Sequence, residues 1–375
     1  MTGEAQFRHH MIKEIFEQPR GLHDTIAPRV SMEQGAVHLE ESRLSPEKVR
    51  ALSRINIVAS GTSRHAGMVG QYMIQELSGV PVDVDYASEF EYRNPITGPS
   101  ELAILITQSG ETADTTGALR EAKSKGASTI AISNVVGSTI AREADGVLYT
   151  YAGKETSIAS TKAFTAQMAV LYLIALYVAQ AKQELNREQI QQHIAELLAL
   201  SGKTESTLKC REQCEVLAKT FHKVEDFLFL GRAVHYPIAM DGALKLKEVS
   251  YVHAEGYPTG ETKHGPNALI DETLPVVILA TCDRNDRGSV LRYEKTVANI
   301  EGFRKQGSPV IAVATEGDQQ ISRLAAHTIF IPQAAELLSP ILEIVPLQIF
   351  AYYMAVYRGL DVDRPRNLTK SVTVE

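Results

Sequence analysis

The sequence predicts an α/β protein built from two similar doubly wound parallel sheets. Short apolar runs alternate with longer periodic segments that suit crossover helices. This alternation is typical of parallel sheets that are covered by helices on both faces. The same order of strand signals then occurs a second time along the chain, with similar spacing, which indicates a weak internal duplication.

The first half contains five candidate strands, at residues 55–59, 82–86, 102–106, 129–133 and 147–150. From Ala163 to about His222 the pattern is helical without strand signals, so this region is expected to connect the two halves. Strands resume at residues 227–230, 276–280, 310–314 and 328–331. The step from strand to glycine at Gly231 repeats the one at Gly61, which supports the duplication.

The composition excludes several classes of protein. A chain of 375 residues with 44% apolar content can bury a large core, and a net charge of −7 argues against nucleic-acid binding. Three cysteines predict no disulfide framework and no metal site, and the histidines are scattered; no cofactor is expected. The apolar run 163–181 contains Gln167 and Gln180 and predicts a core helix, not a membrane span. With no signal-peptide pattern at the start, a cytoplasmic protein is expected.

A hydroxyl-rich turn follows the third candidate strand and precedes a helix that ends near Gly126. At such a helix start, free backbone N–H groups and the positive end of the helix dipole face an anion. The turn has no glycine-loop nucleotide signature. It offers instead the hydroxyls of Thr107, Ser109 and Thr112 and the amide of Gln108, which suit a small phosphate monoester. A simple helix N-cap is the alternative.

Two similar turns lie elsewhere in the first half. One, at residues 60–63, follows the first strand, and the other, at residues 158–162, opens the long apolar helix. Ligands of open α/β sheets bind beyond the carboxyl ends of the strands, where such turns lie. A joint site is therefore favoured over three independent caps.

Acid, base and lysine candidates lie in the second half. Lys245 and Glu248 are three residues apart on a predicted helix, which permits either a surface ion pair or a carboxylate base beside a stabilising ammonium. Residues 255–266 combine two acids, a lysine and His264 with glycines and prolines, and therefore predict an irregular loop. His264 is either a proton-transfer group or a surface histidine. The composition of residues 361–375 predicts an extended, irregular tail.

Several motifs together resemble one family, the isomerase half of the glucosamine-6-phosphate synthases, which has the sugar isomerase (SIS) fold. They are SGTS at 60–63, QSGETADT at 108–115, ASTKAF at 159–164, ALKLKE at 243–248, KHGP at 263–266, and the tail from PRNL at 365–368 to Glu375. The opening residues 7–19 resemble the linker that enters this half. The resemblance covers nearly the whole chain. It implies a helical linker segment at 1–50, flavodoxin-like SIS subdomains at 51–200 and 201–360, and an active-site tail at 361–375.

The resemblance also implies roles for particular residues. The phosphate of fructose-6-phosphate would lie in the turn from Thr107 to Thr112, near Ser63, and Thr107 stands where the family usually has Ser. The sugar would be lined by Ser160, the Ile158 backbone and Thr369. Glu248 matches the base that moves a proton between C1 and C2, and Lys245 matches its neighbouring cation. His264 matches the ring-opening residue, contributed by the partner subunit of a homodimer, and Lys370 matches a lysine at the substrate carbonyl.

One departure bears on the nitrogen source. The synthases begin with a glutaminase domain that uses an N-terminal cysteine, whereas Met1 is followed here by Thr2. No glutaminase activity is expected from this chain, and a glutaminase domain or chain could act in trans. The expected function is conversion of fructose-6-phosphate to glucosamine-6-phosphate with a nitrogen source, or to glucose-6-phosphate without one. The alternatives are a free-standing glucosamine-6-phosphate deaminase and, less favoured, a non-catalytic sugar-phosphate sensor.

Overall fold

A computed structural model of the chain describes residues 7–373 and contains two five-stranded parallel sheets. This confirms the predicted fold class. The strands are β1 Val30–Ser31 and β2 Ala36–Val37, which form a small antiparallel pair, then β3 Arg54–Ala59, β4 Val82–Tyr86, β5 Glu101–Thr107, β6 Ser128–Ser133 and β7 Gly146–Tyr149 in the first sheet, and β8 Asp226–Gly231, β9 His253–Pro258, β10 Val276–Ala280, β11 Val310–Thr315 and β12 His327–Ile331 in the second.

The helices cover these sheets and link them along the chain. They are α1 His10–Phe16, α2 Gln18–Ile26, α3 Pro46–Arg50, α4 Gly61–Ser78, α5 Ala87–Phe90, α6 Ala113–Ser124, α7 Thr139–Glu143, α8 Lys162–Lys182, α9 Arg187–Thr207, α10 Arg211–Phe221, α11 Tyr236–Ser250, α12 Arg287–Lys305, α13 Gln319–Leu324 and α14 Ser339–Tyr357.

The two sheets have the same topology. The strand order is β4-β3-β5-β6-β7 in the first and β9-β8-β10-β11-β12 in the second. Each is the order 2-1-3-4-5 of flavodoxin-like folds, in which a ligand binds where the strand order reverses, beyond the carboxyl ends of the strands. The shared order is the structural form of the internal duplication.

The chain divides into two compact units. The amino-terminal unit comprises residues 18–155, 162–201 and 371–373 and holds the first sheet, and the carboxyl-terminal unit comprises residues 7–17, 156–161 and 202–370 and holds the second. The predicted subdomain bounds at 51–200 and 201–360 remain a prediction. The first six residues and the last two, including Met1, Thr2 and Glu375, lie outside the described part of the chain.

Two helices, α8 and α14, are long and apolar enough to cross a membrane by length and composition alone. Most of each apolar window is buried in protein, 89% for α8 and 94% for α14. In the amino-terminal unit α8 packs against α4, and a Cβ atom at Gly70 would lie 2.9 Å from the Leu171 side chain. Such burial is expected of core helices, and it supports a soluble protein.

The segment 255–266 differs from its prediction as an irregular loop. Residues 255–258 belong to β9, and two 3₁₀ helices, Thr259–His264 and Pro266–Leu269, follow. Glycine and proline made the strand hard to recognise, but β9 is an edge strand, where a missing N–H is tolerated. Gly256 is required there because a Cβ atom would lie 2.4 Å from the Met240 Cα of α11. The prediction of no regular element was therefore wrong.

The tail follows an irregular path, as predicted. Residues 361–373 contain no helix or strand, and hydrogen bonds hold them in place. The N–H of Ile158 donates to the Asp363 carbonyl at 3.2 Å within the carboxyl-terminal unit. The N–H of Ala113 donates to the Val372 carbonyl at 3.1 Å within the amino-terminal unit.

Candidate active site

The hydroxyl-rich turn joins β5 to α6 in the amino-terminal unit. The Thr107 hydroxyl lies 3.2 Å from the Thr112 hydroxyl and accepts from the Gly110 N–H, also at 3.2 Å. Gly110 has a φ of 70°, and a Cβ atom there would lie 2.0 Å from the Ser138 hydroxyl, so the turn requires glycine. The Thr112 side chain, at the N-cap position of α6, makes no capping hydrogen bond. The simple N-cap alternative is therefore not realised at Thr112.

The acidic member of the turn is committed to a structural contact. Both carboxylate oxygens of Glu111 accept from Thr139, one from its N–H at 2.8 Å and the other from its hydroxyl at 2.7 Å. These hydrogen bonds hold the pKa of Glu111 below its ordinary value. The carboxylate thereby fastens the turn to the start of α7. The half-buried side chains of Gln108 and Ser109 lie on the same turn.

The turn that contains Ser63 is a neighbour of this one. Strands β3 and β5 are paired, with Ala59 opposite Ile106, so the two turns leave adjacent strands at the same sheet edge. Ser63 accepts from the Gln167 side chain of α8 at 3.0 Å. The Ser60 side chain makes no capping hydrogen bond to α4. The structure thus brings Ser63 and the hydroxyl turn to one edge, as the position of these turns predicted.

The pair formed by Lys245 and Glu248 lies on α11 in the carboxyl-terminal unit. The Lys245 Nζ is 2.5 Å from Glu248 Oε2, and the lysine side chain is 0% exposed. The surface ion-pair alternative is therefore wrong, because the lysine does not reach the surface. A fully buried ammonium depends strongly on its charged partner. Asp241, also fully buried, lies one helical turn before Lys245 on the same helix. Its spacing of four residues from Lys245 is visible in the sequence, but only the structure shows that both residues are buried.

The segment 156–161 and the tail meet in the carboxyl-terminal unit. The Nζ of Lys370 donates to the Ser157 carbonyl at 2.6 Å. Ser160 is half-buried, and Thr369 directly precedes the anchored lysine. The tail is thus fastened by a specific contact of the lysine that the resemblance selected.

Tyr251 ties the tail to α11 and was also missed. Its hydroxyl accepts from the Arg366 N–H at 2.7 Å, and the Arg366 guanidinium lies 4.2 Å from the centre of the Tyr251 ring. Tyr251 is the left-handed C-cap residue of α11, three positions after Glu248. No sequence motif marks it, since the contact depends on where the tail runs.

His264 ends the 3₁₀ helix Thr259–His264 and is exposed. Within residues 7–373 its ring meets no hydrogen-bonding partner, so its own unit does not assign it a role. Lys245, Glu248, His264 and Lys370 all belong to the carboxyl-terminal unit, and the hydroxyl turn belongs to the other.

The carboxyl edge of the second sheet carries different chemistry. One ring nitrogen of His235 lies 2.8 Å from the Glu343 carboxylate, and the other lies 2.9 Å from the Glu336 carboxylate. Arg292 forms an ion pair with Glu336 at 2.5 Å. Burial and Arg292 oppose a charge on His235, but Glu343 and Glu336 outweigh them and raise its pKa. The corresponding edge of the first sheet presents hydroxyls, whereas this edge holds a cluster in which basic and acidic side chains pair with one another.

Comparisons with known proteins agree with this architecture. The chain belongs to the SIS domain family, whose model matches residues 49–177 and 220–358. The two doubly wound sheets and the hydroxyl turn at one strand edge agree with this class. Within that family it is related to the isomerase half of glutamine–fructose-6-phosphate aminotransferase (isomerizing). The enzyme of that name from Chlorobaculum tepidum is 48% identical over 98% of the chain, and the one from Methanosarcina acetivorans is 47% identical over 99%.

The chain spans 59% of the length of each of these relatives. Among solved structures, the C-terminal domain of glucosamine-fructose-6-phosphate aminotransferase from Francisella tularensis matches 96% of this chain and 99% of its own, with a TM-score of 0.89 and 35% identity. Glucosamine-6-phosphate deaminase from Thermotoga maritima covers 97% of this chain and 99% of its own, with a TM-score of 0.72 and 22% identity, which shows a shared fold.

Proposed function

We propose that this chain is the ketose–aldose isomerase module of glucosamine-6-phosphate synthesis. It would act on fructose-6-phosphate, giving glucosamine-6-phosphate when nitrogen is supplied and glucose-6-phosphate when it is not. The observation that carries the proposal is the buried pair of Lys245 and Glu248. A carboxylate with a fully buried ammonium at 2.5 Å suits proton transfer beside a developing negative oxygen.

The phosphate group would bind at the hydroxyl turn of the amino-terminal unit. Thr107, Ser109 and Thr112 offer hydroxyls, Gln108 an amide, and the start of α6 a positive helix end. Ser63 would contribute from the adjacent turn. Ser160, the Ile158 backbone and Thr369 would line the sugar.

The chemistry would begin with ring opening. His264 would move a proton from the anomeric hydroxyl towards the ring oxygen as the ring C–O bond breaks. The Lys370 amine would then add to the C2 carbonyl, and loss of water would leave an imine. Ammonia would displace the lysine, and Glu248 would carry a proton from C1 to C2 to give the aldose. Lys245 would stabilise the oxygen on which negative charge develops.

The assembly and the nitrogen source are part of the proposal. A homodimer would let the exposed His264 complete the site of the partner subunit, as closed two-fold symmetry permits. A glutaminase domain or chain acting in trans would supply ammonia, in agreement with the longer relatives. Such a biosynthetic module would work in the cytoplasm, without nucleic acid, membrane, metal or organic cofactor.

The decisive experiment identifies products from the purified protein. We expect fructose-6-phosphate alone to yield glucose-6-phosphate, and fructose-6-phosphate with ammonium to yield glucosamine-6-phosphate, both resolved by NMR. Net release of ammonia from glucosamine-6-phosphate, without the forward reaction, would favour the deaminase. Binding of 6-phosphosugars without any turnover would favour the sensor.

A further inference from the structure

Glu14 is a buried carboxylate on α1 that the reaction scheme does not use. Only 3% of the surface of Glu14 is exposed. Oε1 accepts from the N–H of Thr156, and the Ser157 N–H lies 3.4 Å from Oε1 and 3.2 Å from Oε2. Hydrogen bonds from backbone N–H groups to an ionised carboxylate are shorter and stronger than those between neutral groups. The carboxylate therefore fixes two consecutive peptide groups.

One of these residues holds the tail lysine. The carbonyl of Ser157 accepts from the Lys370 Nζ at 2.6 Å. A lysine has a flexible four-carbon stem and three rotatable donors, so a well-placed acceptor restricts where its amine lies. Fixing the backbone at Thr156 and Ser157 therefore helps to fix the position of the Lys370 amine.

The tail is attached to the same helix a second time. The Asp363 carboxylate accepts from the N–H groups of His10 and Met11 at 2.9 and 2.8 Å, at the start of α1. The Asp363 carbonyl accepts from the Ile158 N–H. Helix α1 thus holds the backbone of Thr156 and Ser157 through Glu14, and it holds the base of the tail through Asp363. All these residues belong to the carboxyl-terminal unit.

We propose that Glu14 is a positioning residue for Lys370. It fixes the peptide group between Thr156 and Ser157, which directly precedes the peptide group whose Ser157 carbonyl accepts from the lysine amine. The catalytic part of this inference rests on the proposed function, in which that amine meets the sugar carbonyl. A displacement of about 1 Å at a reacting group can lower a rate by about 10²-fold. Loss of the Glu14 contacts would therefore lower turnover and leave phosphate binding unchanged.

A test without substrate measures the reactivity of Lys370 directly. Limiting formaldehyde with cyanoborohydride methylates lysines: the amine adds, water leaves, and hydride reduces the imine. Peptide mass spectrometry then gives the rate at each lysine. In Glu14→Gln we expect Lys370 to react at least about threefold faster, which corresponds to the lower end of the net free energy of one hydrogen bond. The labelling rate of Lys13 should not change. Glu17→Gln is the matched control, because Glu17 forms an exposed pair with Lys13 on α1.

A kinetic test follows with fructose-6-phosphate. Glu14→Gln is expected to lower kcat by about 10- to 100-fold while KM changes by less than about threefold. Unchanged Lys370 labelling in a folded Glu14→Gln protein would overturn the inference. A uniform rise in the labelling of all lysines together with a lower Tm would also overturn the inference, because it would indicate that the whole fold is destabilised.

Two outcomes separate this inference from the proposed function. If the parent is inactive on fructose-6-phosphate but Glu14→Gln still raises Lys370 labelling selectively, the positioning role stands and the proposed function fails. If Glu14→Gln does not fold, Asp363→Asn decides by the same labelling measurement, since it weakens the second attachment. Faster labelling of Lys370 alone supports the inference, and parental labelling overturns it.

Discussion

Replacing Glu248 by Gln tests the proposed base most directly. Gln retains the shape of the side chain and an oxygen that can accept from Lys245, but it cannot take a proton. General acid–base catalysis typically contributes about 10²- to 10⁴-fold, so exchange of the C2 hydrogen of glucose-6-phosphate with deuterated water should fall at least about 10²-fold. That fall corresponds to about 2.7 kcal/mol of lost transition-state stabilisation.

The same change has a second, separable cost in stability. Breaking a fully buried ion pair by removing one partner costs about 3–5 kcal/mol. Two features lower that figure here: the Glu248 side chain is 22% exposed, so water reaches it, and Gln preserves one acceptor for the fully buried Lys245. We therefore expect a loss of about 1–3 kcal/mol in the free energy of unfolding, in the range of one weakened hydrogen bond to a charged group.

The assay follows deuterium incorporation by NMR, with the unfolding free energy measured in urea. Lys247→Ala is the control, because Lys247 is exposed on the same helix and should leave exchange and stability close to those of the parent. Undiminished exchange in Glu248→Gln would refute the assignment, and Glu255 on β9 would be the next base to examine. Loss of exchange together with loss of 6-phosphosugar binding would instead indicate a structural pair.

The remaining predictions concern phosphate, assembly and pH. Ser109→Ala should weaken binding of 6-phosphosugars by about 1–3 kcal/mol, the range for a hydrogen bond to a charged group, and parental affinity by calorimetry would contradict the phosphate site. Mixing inactive Glu248→Gln with inactive His264→Ala should restore some activity through hybrid dimers, whereas a fully active monomer would exclude shared sites. Because the folded-state pKa of His235 is raised by Glu343 and Glu336 over the opposing effects of burial and Arg292, its contribution to stability should be complete below about pH 6.5 and disappear as pH rises through the raised pKa. Urea unfolding from pH 5 to 9 should show this slope, and His235→Gln should remove it.

Much of the fold could be predicted because it depends on local patterns. Apolar runs buried on both faces of a parallel sheet are recognisable without knowledge of their neighbours, and nine of the strands in the first and second sheets, such as β5 and β10, lie within a few residues of their predicted positions. Strand β9 was missed because Glu255, Gly256 and Pro258 are residue types that are depleted in strands. Its pairing with β8 and the close approach of α11 outweigh these low strand propensities.

The candidate site divides in the same way between sequence and structure. By itself the sequence determined which residues could carry the chemistry, since hydroxyls before a helix and a lysine three residues before a glutamate are local patterns. Only the tertiary structure decided that Lys245 is completely buried, because burial depends on what packs around α11. Likewise, only the structure showed that Glu14 and Lys370, from opposite ends of the chain, bind the N–H and the carbonyl of the same residue, Ser157. Contacts between residues so far apart depend on the path of the folded backbone, which no local pattern encodes.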